Sequence, residues 1–120
     1  MGRINILLVL AALAACVVFS TGGASAATHS NLTVTESEYH IQVSRLTVPH
    51  GNVTVFVDNN GQDEHNLYVG TPGHLIHATK RILPGGRVSF GVSLAKGTYN
   101  LYCGIPGHRA LGMINHIKVT

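Results

Sequence analysis

The stretch of sequence that decides the fold is Cys103-Gly-Ile-Pro-Gly-His108-Arg-Ala-Leu-Gly-Met113, within the last 18 residues of the chain. It places a thiol, an imidazole and a thioether at equal intervals of five residues. A further histidine, His65, opens a strand-like segment upstream and is followed directly by Asn66. One thiolate, two imidazoles and one weakly binding thioether suit both Cu(I) and Cu(II). These residues therefore predict a site for a single copper ion.

Each of these residues also has a purely structural explanation. A single buried cysteine usually behaves as a small hydrophobic side chain, and a methionine beside a C-terminal strand commonly fills the core. Cys103, His108 and Met113, however, share one loop rich in glycine and proline that offers little core to fill. We therefore favour copper binding over three separate packing roles.

The arrangement resembles that of the cupredoxins. The ligand loop is most similar to the rusticyanin and auracyanin type, in which four residues separate Cys from His and His from Met, as they do here. The resemblance implies one copper ion per chain, with His65, Cys103 and His108 as equatorial ligands and Met113 as the axial ligand. One departure from the family pattern is Ile105, which stands where a phenylalanine follows Cys-Gly.

The resemblance also assigns roles to neighbours of the ligands. In many cupredoxins the Asn at the position of Asn66 donates its backbone N–H to the thiolate and holds the ligand loop with its side chain. The N–H of Ile105 is also free to donate, because the proline follows one position later, at Pro106. Two donors to the sulfur stabilise the electron-rich reduced site.

Apolar and polar residues alternate along most of the chain after the N-terminal segment, which predicts β-strands rather than helices. The same alternation points His65 and Cys103 inward at strand ends. Strands of this length and spacing predict an all-β fold, a cupredoxin-like Greek-key sandwich or barrel of about seven to eight strands. The apolar positions are Leu32, Val34, Tyr39, Ile41, Val43, Val53, Val55, Val57, Val88, Phe90, Val92, Leu94, Ile117 and Val119.

The N-terminus is typical of an export signal. An apolar run from Ile4 to Phe19 precedes Ala24-Ser25-Ala26, which predicts a signal peptide over residues 1–26 and a mature domain over residues 27–120. The protein is then expected in the periplasm or at the outer face of the cytoplasmic membrane. Leu13-Ala14-Ala15-Cys16 is a competing lipobox, in which a lipidated Cys16 would tether the protein to the membrane, as an uncleaved signal also would. We favour the later cleavage, because the apolar run continues past Cys16.

The composition of the predicted mature domain excludes several classes of protein. Its 94 residues (120 minus 26) suffice for one small domain, which we expect to be monomeric. Cys103 is its single cysteine, so no disulfide can form within it, and a bound metal explains an exported free thiol. Seven basic residues (eight minus Arg3) face five acidic ones without forming a basic stripe. We therefore expect no nucleic-acid binding.

A copper-binding domain of this kind could have one of three functions. The first is an electron carrier that cycles between Cu(I) and Cu(II) and docks transiently with redox partners near His108. The alternative is copper binding and delivery on the same fold, but delivery proteins tend to use open sites rich in methionine, and Met113 is the only methionine after residue 26. Multicopper enzymes place a histidine beside the cysteine, whereas Tyr102 and Gly104 flank Cys103. We expect no enzymatic activity.

A short internal repeat needs its own interpretation. Residues 66–74 match residues 100–108 at seven of nine positions, with Val69 in place of Cys103. The repeat predicts two strand-to-loop turns of the same shape, only one of which carries a thiol. His74 and His77 are expected in a solvated loop after the first copy rather than in a second metal site.

Overall fold

A computed structural model of the chain describes residues 22–23 and 28–120. The predicted signal peptide and lipobox lie outside the described residues, apart from Gly22 and Gly23. In the part of the chain that is described, no helix is long and apolar enough to cross a membrane.

Residues 28–120 form nine strands in two sheets, with one short 3-10 turn. The first sheet has the order β2-β1-β4-β7 and the second β3-β9-β8-β5-β6. β1 pairs with β4 and β3 with β9 in parallel, and the remaining pairs are antiparallel. The bounds are β1 His29–Ser37, β2 His40–Val43, β3 Thr47–Val48, β4 Gly51–Asn59, β5 Tyr68–Thr71, β6 His74–Ala78, β7 Arg87–Leu94, β8 Gly97–Tyr102, the turn Arg109–Leu111 and β9 Ile114–Val119. The predicted all-β, two-sheet architecture is confirmed, with nine strands instead of seven or eight.

The two sheets bury a common core through every second residue of their strands. In β4, for example, Val53, Val55 and Val57 are buried and the residues between them are not. This alternation is the pattern that the sequence shows. β7 is less covered than predicted, and Val88 is 36% exposed, because β7 is the edge strand of its sheet and has a neighbour on one side only.

The ends of three elements in the second sheet bring the predicted ligands together. β8 ends at Tyr102, so Cys103 is the first residue beyond it, and Met113 directly precedes β9. His65 lies just before β5, where a backbone bridge to Ile82 fixes it: the N–H of each residue donates to the carbonyl of the other, at 3.1 and 2.7 Å. The sheet therefore presents the predicted ligands at one end of the sandwich.

The two copies of the internal repeat share the predicted turn, since the glycine after each proline has a positive φ, 77° at Gly73 and 86° at Gly107. The chain continues differently after the two turns. The first copy continues through a tight turn at Gly73 into β6, whereas the second leaves the sheet after Tyr102 and closes a loop, with the Cys103 N–H donating to the Met113 carbonyl. The two copies lie side by side in the second sheet, with Tyr68 opposite Tyr102.

His74 and His77 lie on strand β6 rather than in the predicted loop. The sequence shows no apolar alternation there, and β6 forms because the hairpin turn returns the chain alongside β5. The ring of His77 stacks on Phe90 with 3.8 Å between centroids, which gives it a packing role. Neither histidine joins the one cluster of potential metal ligands in residues 28–120.

Candidate metal centre

Three of the four predicted ligands converge on one point. The Nδ1 atoms of His65 and His108 lie 3.2 Å apart, and the Sγ of Cys103 lies 4.0 Å from the first and 3.7 Å from the second. Donor atoms that share one ion through bonds of about 2.0–2.3 Å lie roughly 3 to 4 Å apart. The nitrogen and sulfur atoms of these side chains therefore fit a single transition-metal ion, and their chemistry suits copper.

Met113, the fourth predicted ligand, is fully buried, and its backbone is hydrogen-bonded to two of the other three. Its N–H donates to the carbonyl of His108 at 3.2 Å, and its carbonyl accepts from the N–H of Cys103 at 3.1 Å. These two bonds hold the loop between Cys103 and Met113 closed. The preceding residue, Gly112, has a φ of 113°, a conformation that favours glycine. Coordination by the Met113 sulfur stays a prediction.

Cys103 is enclosed by the protein and receives backbone hydrogen bonds. Its side chain is fully buried. Burial raises the pKa of the Cys103 thiol, against the opposing effect of backbone hydrogen bonds from Asn66 and Ile105. The two groups that the sequence predicts as donors to the sulfur are thus the ones that oppose the rise of this pKa. Ile105, the residue that departs from the family pattern, packs partly buried against the core.

The side chain of Asn66 links the two loops that carry the ligands. Its Oδ1 accepts the N–H of Gly104 at 2.7 Å and the S–H of Cys103 at 3.6 Å. A Cβ at Gly104 would lie 2.5 Å from ring atoms of Tyr68, so only glycine allows the chain to pass this close to that ring. The tie between the His65 and Cys103 segments thus depends on both Asn66 and Gly104.

Glu38 orients His65, a role that nothing in the sequence indicates. The His65 Nε2–H donates to Glu38 Oε1 at 3.2 Å, which leaves the lone pair of Nδ1 directed at the cluster. Hydrogen bonds from the backbone N–H groups of Asp63 and Gln62 hold the pKa of Glu38 at about 2, against an opposing effect of desolvation. Glu38 is therefore an ionised acceptor at neutral pH.

The loop that receives Glu38 is itself held by a buried asparagine. The Asn59 side chain donates to the carbonyls of Asp63 and Ile82, both at 2.8 Å, and accepts the N–H of Gly61 at 2.9 Å. A Cβ at Gly61 would collide with the Glu38 carboxylate. Glycine at this position therefore gives the carboxylate access to His65.

We expect Glu38→Ala to weaken copper binding by roughly 10- to 100-fold, because partners that orient a metal-bound imidazole commonly contribute this much. Glu38→Gln keeps an acceptor and should fall between this variant and the wild type. Competition with a copper chelator measures the affinity. The matched control is Glu64→Ala, since Glu64 adjoins His65 in sequence but forms only an exposed ion pair with Arg81. Equal losses in Glu38→Ala and Glu64→Ala would contradict the proposed role.

Glu36 is a second notable carboxyl that was not predicted from the sequence. It lies on β1 in the inward-facing row of Leu32 and Val34, and it is fully buried. Burial raises its pKa from 4.5 to about 7. The sequence does contain one sign of it, because an acidic residue stands where the alternation of the strand calls for an apolar one.

The fold and the site together define a small two-sheet β-protein with a buried site for one transition-metal ion. The sequence matches the family model of the cupredoxin-like domain over residues 8–114, and the chain belongs to this family. A search among curated proteins gives no match.

Several solved structures share the fold. Reduced auracyanin from Roseiflexus castenholzii has a TM-score of 0.63 and 21% identity, covering 79% of this chain and 99% of that one. Auracyanin A from Chloroflexus aurantiacus, described as a "blue" copper protein, has a TM-score of 0.64 and 17% identity, covering 78% and 100%. Rusticyanin from Thiobacillus ferrooxidans has a TM-score of 0.56 and 22% identity, covering 75% and 77%. At these identities the similarity establishes the shared fold.

Proposed function

We propose that the protein is a type I (blue) copper protein that carries single electrons between redox partners outside the cytoplasm. The observation that carries the proposal is the convergence of His65, Cys103 and His108, whose donor atoms all lie within 4.8 Å of one another. The fold shared with auracyanin A, itself a blue copper protein, supports it. Bound copper would supply a one-electron couple between Cu(I) and Cu(II).

The surrounding residues suit a site that changes oxidation state with little movement. Glu38 and the bridge to Ile82 fix His65, and the Asn66 side chain fixes the Cys103 segment. The hydrogen bonds from Asn66 and Ile105 to the sulfur favour the reduced state. A carrier rather than an enzyme is proposed, because no histidine adjoins Cys103 to connect it to a second metal centre.

Partners are proposed to dock around His108. Its imidazole is partly exposed and meets the ring of Tyr39 edge to face, with centroids 5.1 Å apart. Exposed residues of the same loop, Pro106, Ala110 and Leu111, surround it, and Leu111 is 61% exposed. We call Tyr39, Pro106, His108, Ala110 and Leu111 the His108 surface. A small apolar surface of this kind suits transient redox complexes.

A positive charge on one side of the His108 surface favours acidic partners. Arg109 is exposed, and its guanidinium lies 4.3 Å from the centroid of the Tyr102 ring. A cation held in this position is proposed to orient an acidic partner and to make the rate of association depend on salt.

We expect Leu111→Asp to slow electron self-exchange at least several-fold, because two copies must bring their apolar surfaces together and a charge there opposes desolvation. The absorption spectrum and reduction potential should stay close to those of the wild type. The control is Leu46→Asp: Leu46 is 64% exposed but lies beside Lys118, at the end of β9 remote from Met113. Self-exchange is measured by NMR line broadening in mixtures of the two oxidation states. Equal self-exchange rates in the two variants would contradict electron transfer through the His108 surface.

An electron carrier keeps its copper through the redox cycle, whereas a copper-delivery protein releases it. A carrier should keep its copper through repeated reduction and oxidation in the presence of a chelator, because buried Cys103 and Met113 hold the site in both states. A delivery protein should lose copper to the chelator on reduction. Copper content after about ten cycles, measured by atomic absorption, distinguishes the two functions, and progressive loss would contradict the carrier.

The site of action is proposed from the N-terminal sequence. A leader ending at Ala26 would direct the domain to the periplasm, or to the outer face of the cytoplasmic membrane if Cys16 is lipidated or the signal stays uncleaved. Mass spectrometry of the protein from a membrane fraction and from a soluble fraction separates these forms.

A further inference from the structure

Glu36 occupies a position that strands normally fill with an apolar residue. It continues the inward-facing row of β1 after Leu32 and Val34, and its exposed fraction is 0%. Its neighbours in register are Ile41 on β2 and Asn59 on β4. The side chain therefore points between the two sheets, at the end of β1 that leads to Glu38 and His65.

Both carboxyl oxygens of Glu36 are buried and have no hydrogen-bond partner in the described part of the chain. The adjacent amide of Asn59 is fully engaged with Asp63, Ile82 and Gly61. An unpaired carboxylate in such a place is strongly disfavoured relative to the neutral acid. Burial accordingly raises the pKa of Glu36 to about 7, so that both forms are populated near neutral pH.

Glu36 also acts electrostatically on Cys103, one of the proposed ligands. Its negative charge is one of the causes that raise the pKa of Cys103, after the larger effect of burial. The two groups therefore interact through the protein interior, where charges are poorly screened.

We propose that Glu36 is a proton-binding site coupled to the oxidation state of the metal centre, so that the protein takes up a proton when it accepts an electron. The proposal rests on the proposed electron-transfer function. In the coupled step Cu(II), the Glu36 carboxylate, one electron from the reducing partner and one proton from solvent give Cu(I) and the Glu36 carboxylic acid. Reoxidation by the accepting partner releases the proton.

The direction of the coupling follows from charge. Reduction removes one positive charge from the centre, so an ionised Glu36 is less favourable in the reduced protein than in the oxidised protein. By linkage, the reduced protein binds the proton more tightly, and the reduction potential falls as pH rises through the range in which Glu36 ionises.

Glu38, two residues further along, has a pKa of about 2 and stays ionised throughout. Cys103, on which the charge of Glu36 acts, is a proposed metal ligand, as is His65, while Ile41 and Asn59 on the flanking strands do not titrate.

The test is the reduction potential of the copper-loaded protein between about pH 5 and 9, for the wild type and for Glu36→Gln. In the wild type we expect the equilibrium constant for reduction to fall on the order of tenfold across this range. Glu36→Gln, neutral and of the same size, should stay at the acid-limit value of the wild type. Glu64→Gln, at an exposed position, should keep the wild-type profile. A wild-type potential independent of pH, or the same profile in Glu36→Gln, would overturn the proposal.

Two further measurements follow the proton itself. One uses the copper-loaded wild type, and the other uses the metal-free protein. Reduction in weakly buffered solution near pH 7 should draw protons from solvent, as shown by an indicator dye, and no uptake would contradict the coupling. Infrared titration of the metal-free protein should show a protonated-carboxyl band that disappears near neutral pH and is missing in Glu36→Gln. A blue protein with no proton uptake contradicts only the role of Glu36. A copper-loaded protein without a thiolate band contradicts the proposed function, whatever the infrared titration shows.

Discussion

Replacing Cys103 by serine is expected to abolish the visible absorption of the copper-loaded protein. The intense band of a blue copper site arises from charge transfer between thiolate sulfur and Cu(II), and a serine hydroxyl has no comparable transition. The hydroxyl would also stay neutral in this fully buried position and would be a poor ligand. Absorption spectra of the two proteins, each loaded with one equivalent of Cu(II), measure the effect.

A matched control comes from the internal repeat. His74 stands in the first copy where His108 stands in the second, but it is exposed on β6 and lies outside the cluster. His74→Ala should therefore keep both copper and colour. A coloured Cys103→Ser protein would contradict the assignment of the thiolate, and loss of copper from His74→Ala would show that the wrong histidine was chosen.

The second large effect concerns the stability of the metal-free protein as a function of pH. Glu36 has a pKa of 4.5 when unfolded and about 7 when buried in the folded protein. Between these values the folded state holds a proton that the unfolded state has released. The contribution of Glu36 to stability is therefore fully present below pH 4.5, and it is lost as pH rises toward and through 7. The loss amounts to roughly 3 kcal/mol in the free energy of unfolding.

Urea denaturation of the metal-free wild type and Glu36→Gln between about pH 5 and 9 measures this loss. Glu36→Gln cannot ionise and should lack the decline, so it should be the more stable protein at the alkaline end. Glu64→Gln, whose carboxylate pairs with Arg81 at the surface, should follow the wild type. Parallel pH profiles for the wild type and Glu36→Gln would show that Glu36 is not buried as a neutral acid.

Much of the fold and three of the candidate ligands could be predicted because their signals are local. Strands such as β4 alternate apolar and polar residues, so the inward face is readable from the sequence alone. The spacing of Cys103, His108 and Met113 places them in one loop, whatever the rest of the chain does. His65 is predicted as a ligand from the His65-Asn66 pair, through the family resemblance. The structure brings it together with Cys103 and His108.

The remaining features depend on contacts between segments distant in sequence. Glu38 reaches His65 because the β1–β2 turn meets the loop after β4, and nothing in either segment indicates the other. The strand at His74–Ala78 forms through the hairpin from β5, against a sequence with no apolar alternation. Asn59 looks like a turn residue, yet it is fully buried and organises the loop that holds Glu38.

The measurement that tests the central claim most directly is a reductive titration of the wild-type protein loaded with Cu(II), followed by absorption spectroscopy. We predict one copper ion per chain, held by His65, Cys103, His108 and Met113, and an intense thiolate band that bleaches after one electron per copper and returns on reoxidation. Copper bound without that band, or a band that does not return, would contradict a blue copper electron carrier.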